Sequence, residues 1–60
     1  MKVVDLLKIL STEVEILLFW DNLEFINEYY SKDAILTQWL NHSIDYVCIM
    51  NKNKIAIYIK

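Results

Sequence analysis

The sequence has no glycine, no proline and no arginine, and only one cysteine and one histidine, among 60 residues. Without glycine there is no phosphate-cradling loop, because such loops bring bare backbone against the anion where a Cβ would clash. One cysteine closes no internal disulfide, and one cysteine with one histidine is too few soft ligands for a structural zinc site. Uninterrupted apolar runs such as Ile16 to Trp20 are far shorter than the roughly 20 residues a membrane helix needs. No apolar stretch of signal-peptide length follows Lys2, so the expected location is the cytoplasm, where Cys48 stays reduced as a small hydrophobe. With no arginine, a net charge of −2 and no basic stripe with interleaved aromatics, direct nucleic-acid binding is not expected, and neither is a membrane partner.

What is present is apolar: 57% of residues are hydrophobic against 23% charged, which excludes a disordered polar tail. A chain of 60 residues forms one domain. At that size a single core seldom supplies more than about 3–5 kcal/mol, so self-association is the expected supplement once disulfides and metals are set aside. Nine isoleucines, six lysines and five asparagines without arginine are what AT-rich codons produce, as in a low-GC bacterium or its phages.

Val3, Leu6, Leu7 and Leu10 follow the i, i+3, i+4, i+7 spacing of one helical face and predict a short helix over 2–10. From Glu13 to Trp20 the period becomes two, which predicts a strand; Asp21-Asn22 supplies a two-residue turn, and a second strand runs from Leu23 to about Tyr30. Ser31 caps a second helix with Asp33 in its first turn and Ile35, Leu36, Trp39 and Leu40 as its apolar stripe. Residues 43–50 and 54–60 form a closing hairpin around Asn51-Lys52-Asn53. The expected fold is α+β: two layers, a four-stranded antiparallel sheet with two short helices on one face, in the order αββαββ.

Pairing across Asp21-Asn22 puts Trp20 opposite Leu23, Leu18 opposite Phe25, Ile16 opposite Asn27 and Val14 opposite Tyr29, on the core face. The reverse face then mixes Glu13, Glu15, Glu24 and Glu28 with Leu17, Phe19, Ile26 and Tyr30. In the second hairpin a two-residue loop places Ile44, Tyr46, Cys48 and Met50 with Ile55, Ile57 and Ile59, leaving Val47, Ile49, Ala56 and Tyr58 behind the sheet, while a three-residue loop changes that register. Two helices roof only one face of four strands, so the uncovered apolar residues call for another polypeptide. Val47, Ile49, Ala56 and Tyr58 are the expected homodimer interface. Residues 1–33 hold seven acids and three lysines, against one acid and three lysines in 34–60, so the charge is uneven: −4 and +2. An acidic face carrying Glu15, Phe19, Glu24, Ile26 and Glu28 suits a protein with a basic groove.

Catalytic chemistry is sparsely represented. His42 falls where the second helix ends, a position at which imidazolium is favoured by the helix dipole, and Cys48 has no base at a recognisable motif spacing. No catalytic residue, metal ligand or cofactor is expected, and the chain is not expected to be an enzyme.

The runs Val3-Val4-Asp5-Leu6-Leu7 to Leu10, Glu13-Val14-Glu15-Ile16 to Trp20-Asp21, and Asn53-Lys54-Ile55-Ala56-Ile57-Tyr58-Ile59 resemble a group of small αββαββ proteins from Firmicutes and their phages. Where those proteins often carry a glycine before the second helix, this chain has Tyr30-Ser31. The resemblance implies a phage or prophage accessory protein. Several small phage proteins of this size inhibit host defence complexes, anti-CRISPR proteins among them. The expected function is therefore a phage-derived inhibitor that binds a host bacterial defence protein, with a structural or assembly protein acting only through self-association as the alternative.

Overall fold

The computed structural model describes residues 1–60. The chain runs α1 (Val3–Leu7), β1 (Glu15–Trp20), β2 (Phe25–Tyr29), 3-10 turns at Lys32–Ala34 and Thr37–Trp39, β3 (Ile44–Asn51) and β4 (Lys54–Ile59). The four strands form one sheet in the order β2-β1-β4-β3. Each hairpin is antiparallel, as expected, but β1 and β4 meet in parallel at the centre, so the sheet is mixed and the all-antiparallel expectation is corrected. Polarity accounts for this order. β2 and β3 carry Asn27, Glu28, Asp45 and Asn51, which tolerate an edge, whereas β4 offers three buried isoleucines that need neighbours on both sides.

One face of the sheet is roofed. Ile16 and Leu18 of β1, Tyr29 of β2 and Ile55, Ile57 and Ile59 of β4 pack with Val3 and Leu7 of α1 and with Ile35 between the 3-10 turns. Leu6, Leu10, Trp39 and Leu40 complete this layer at its margins.

The helical elements are shorter than the periodicity predicts. The Asp5 carboxylate accepts from the Lys2 N–H at 3.0 Å and opens α1, which spans five residues before its last turn loosens. The Lys32 ammonium crosses from the later connection and donates to the Leu7 and Leu10 carbonyls at 3.0 and 2.7 Å, satisfying groups that a helix end leaves open. Ser31 caps as expected, its hydroxyl accepting from the Asp33 N–H at 3.3 Å. The helix it opens does not continue. Ile35 and Leu36 are extended, at ψ 131° and 145°, so the predicted helix becomes two 3-10 turns. This break lets Ile35 reach the core, while Leu36 stays outside at 53% exposure.

Both hairpin registers depart from the simplest pairing. Leu23 donates to the Trp20 carbonyl, Trp20 donates to the Glu24 carbonyl, and Leu23 sits at φ 76°. This is a three-residue loop closed by a left-handed residue, a place glycine usually fills and leucine fills here because the chain has none. Ile16 then pairs with Tyr29 and Leu18 with Asn27, two residues from the expected partners, so the faces are kept away from the tip. Nearer the tip a bulge opposes Phe19 to Phe25 and moves Phe25 off the core face. In the second hairpin Asn51 pairs with Lys54 around a two-residue turn, and a bulge at Met50 restores the register of a three-residue loop: Cys48 opposite Ala56 and Tyr46 opposite Tyr58.

Candidate functional site

The unroofed side of the sheet carries the candidate site. Side chains alternate along a strand, so Phe19, Phe25, Tyr58 and Tyr46, joined by the pairing registers, point to the same side. Their rings make a row across all four strands, β2 to β1 to β4 to β3. Phe25 meets Phe19 edge to face at 5.4 Å, Phe19 stacks on Tyr58 at 4.9 Å, and Tyr58 stacks on Tyr46 at 4.2 Å. An aromatic pair of this kind contributes about 0.5–1.5 kcal/mol beyond its buried area, so the Phe19 pairs stiffen the sheet as well as decorate it. The inner rings are half-buried by their neighbours, whereas Phe25 is 58% and Tyr46 45% exposed.

Beside the row lie Glu28, Leu17, Ala56 and Cys48, and beyond them Glu15 and Lys54. The Lys54 ammonium stands 3.8 Å from Glu15 and 3.6 Å from Glu28, so one lysine serves two carboxylates and the cluster stays net negative. At the other end of β3, Asp45 lies 4.0 Å from Lys60. The Tyr46 phenol is held above its ordinary value of 10.0, first by desolvation and then by the neighbouring Tyr58 and Asp45.

Glu15, Phe19 and Glu28 thus lie together on the unroofed face, and Glu24 is exposed at the hairpin tip next to Phe25. Ile26 does not join them. The bulge turns it partly into the core, so its place on the reverse face is corrected. Val47, Ile49, Ala56 and Tyr58 do not form one patch either. Val47 and Ile49 oppose Ile57 and Ile55 and so lie on the roofed side, beyond the reach of α1, while Ala56 and Tyr58 lie on the ring side with Ala56 only 2% exposed. Sequence pairing missed Phe25 and Tyr46 as members of the face. At the first turn the available signal was the three-residue loop Asp21-Asn22-Leu23; at the second, the Met50 bulge restores the register that a three-residue Asn51-Lys52-Asn53 loop would have set.

The remaining polar groups are placed elsewhere. His42 bonds through Nδ1 to the Lys60 backbone oxygen at 2.8 Å and packs against Trp20 and Trp39, each with ring centres 5.5 Å away. Ser43 bonds to Lys60 while Cys48 opposes Ala56, four residues along β4, so His42 and Cys48 are separated by roughly 13 Å at strand rise. They do not form a nucleophile–base pair. No three His, Cys, Asp or Glu side chains are grouped to hold a metal ion. An open cleft of about 370 Å³ lies between α1 and the first 3-10 turn, lined by Val4, Leu7, Lys8, Lys32, Asp33, Ile35 and Leu40. Its Lys32 is already committed to the Leu7 and Leu10 carbonyls. No helix is long and apolar enough to cross a membrane.

No protein-family model matches the chain, and no curated protein or solved structure matches it.

Proposed function

We propose that the protein is a non-enzymatic binding module that engages another protein through the ring-bearing face of its sheet. The observation that carries this is the row Phe25–Phe19–Tyr58–Tyr46, open at both ends on a face with no roof of its own. Rigid aromatics carry a large share of binding energy in protein interfaces, because they bury much area at little entropic cost. The carboxylates Glu15 and Glu28 toward the open end of the β1–β2 hairpin and Glu24 at its tip favour a partner with a basic rim. The finer form of the proposal is a phage-derived inhibitor of a host defence protein, acting in the bacterial cytoplasm, and it draws on the sequence resemblance. An assembly protein acting only through self-association is the alternative, favoured by the exposed strand β3.

The test is affinity capture from the lysate of a low-GC bacterium, using the wild-type chain, a Phe25→Ser/Glu28→Lys variant and an Ile9→Ser control. Ile9 is 75% exposed just after α1 and away from the sheet face. A captured protein retained by wild type and control but lost with the face variant is the expected result. Equal capture by all three, or none by any, overturns the proposal.

A further inference from the structure

The two edges of the sheet are guarded very differently. β2 is five residues long, contains a bulge and carries Asn27 and Glu28. β3 is eight residues long; its bulges fall at Asp45 and Met50, toward its two ends, and between them Tyr46 to Ile49 pairs regularly and has no charge and no proline, devices that usually blunt an edge. Its side chains are exposed on both faces, Val47 at 38% and Ile49 at 76% on one, Tyr46 at 45% on the other.

The backbone of this edge is open as well. β4 turns the Asn53 and Ile59 carbonyls toward β1, accepting from Glu15 and Asp21, and turns the Lys60 N–H toward Ser43 of the β3 side. By strict alternation Ala56 and Tyr58 also face β3, so their partners Cys48 and Tyr46 spend their backbone groups on β4. The N–H and C=O of Val47 and Ile49 therefore point outward. Residues 1–2 cover only the beginning of the strand, through the Lys2–Ser43 bridge and the Ile44 N–H to Met1 carbonyl bond.

We propose that β3 is the homodimer edge: a second copy of the chain pairs antiparallel with it, centred on Cys48, to give an eight-stranded sheet. Self-pairing in that register sets Val47 against Ile49 of the second copy with mutual backbone hydrogen bonds, and Cys48 against its own counterpart. Apolar groups meet apolar groups, and Asp45 meets Asn51 beside Lys52, so the acidic start of one strand lies against the basic end of the other. Shifting the register by one pair in one direction would oppose Asp45 to Ile49, and in the other would oppose Val47 to Asn51. The two-fold axis stands perpendicular to the sheet, so both ring rows remain uncovered on the same side. This dimer is independent of the binding proposed for that face.

The test is light scattering across a concentration series in reducing buffer. Wild type is expected as a discrete dimer. Val47→Pro removes an outward N–H while leaving the β3–β4 ladder whole, a setting in which proline is tolerated in a sheet. It deletes two intermolecular hydrogen bonds, about 1 kcal/mol each, which raises the dissociation constant about 30-fold. Ile49→Lys, on the exposed edge, has the same direction and covers the case in which the proline variant does not fold. A mild thiol oxidant such as diamide, itself reduced as two thiols lose their protons and join, is expected to link wild-type dimers through Cys48 and to spare Val47→Pro. A monomeric wild type, an open-ended oligomer, or a dimer indifferent to both edge substitutions overturns the proposal.

Discussion

Replacing Lys32 by methionine removes two charge-assisted hydrogen bonds while keeping the apolar stem that lines the cleft. Bonds to a charged donor are each worth about 1.5–3 kcal/mol when buried, and Lys32 is half-buried, so a discounted total of about 2 kcal/mol is expected. A domain of this size has roughly 3–9 kcal/mol to lose. The loss therefore reaches a large fraction of the total, and the melting temperature should fall by about 8–16 °C. Circular dichroism melts of Lys32→Met against wild type measure it, with Lys8→Met as control, because the Lys8 side chain lines the same cleft while only its backbone N–H, which the substitution keeps, bonds to α1. The control should stay within about 0.5 kcal/mol of wild type. A Lys32→Met melt within about 3 °C of wild type, or equal shifts in both variants, would refute the idea that this ammonium closes the first helix.

Leu23→Asn should raise stability by about 0.5 kcal/mol, since asparagine accepts the left-handed backbone that leucine adopts at φ 76° and the leucine side chain is 63% exposed. A lower denaturation midpoint would count against strain at this turn. Tyr46 should ionise above 10.0, seen as a late component of tyrosinate absorbance that Tyr46→Phe removes. Because its folded value is raised, the neutral phenol's contribution is intact below 10.0 and declines as pH climbs through the folded value, so alkaline melts should lose stability less steeply in Tyr46→Phe. Glu15→Gln and Glu28→Gln should each cost less than about 1 kcal/mol, and less still in high salt, because each shares Lys54 in a half-exposed setting. A larger, salt-independent cost would show that the trio is structural.

Strand existence was legible because period-two alternation survives in β1 and β4, the strands that bury most. Ile16, Leu18, Ile55, Ile57 and Ile59 could be assigned to the core on that ground alone. Strand partners were not legible at the sheet centre, since nothing in the alternation of β1 says whether β4 arrives parallel or antiparallel. Face assignments failed at Phe25, Ile26, Tyr46, Val47 and Ile49 for one physical reason: a bulge inserts a single residue and flips every side chain on one side of it. The second helix failed differently. Ser31 and Asp33 gave a genuine start, but with Ile35 and Leu36 adjacent the chain buries one and exposes the other by going extended between two short turns. Glu15 and Phe19 were placed together because they alternate on one strand, and Glu28 joined them because it pairs with Leu17 in the stretch of ladder below the bulge.

The ring-bearing face as a docking surface is tested most directly by photo-crosslinking, with a benzophenone amino acid replacing Phe25 in one sample and Ile9 in another, irradiated in lysate from a low-GC bacterium. Adducts to one discrete polypeptide from position 25, absent from position 9, are the predicted result. No adduct at position 25, or the same pattern from both positions, would contradict it.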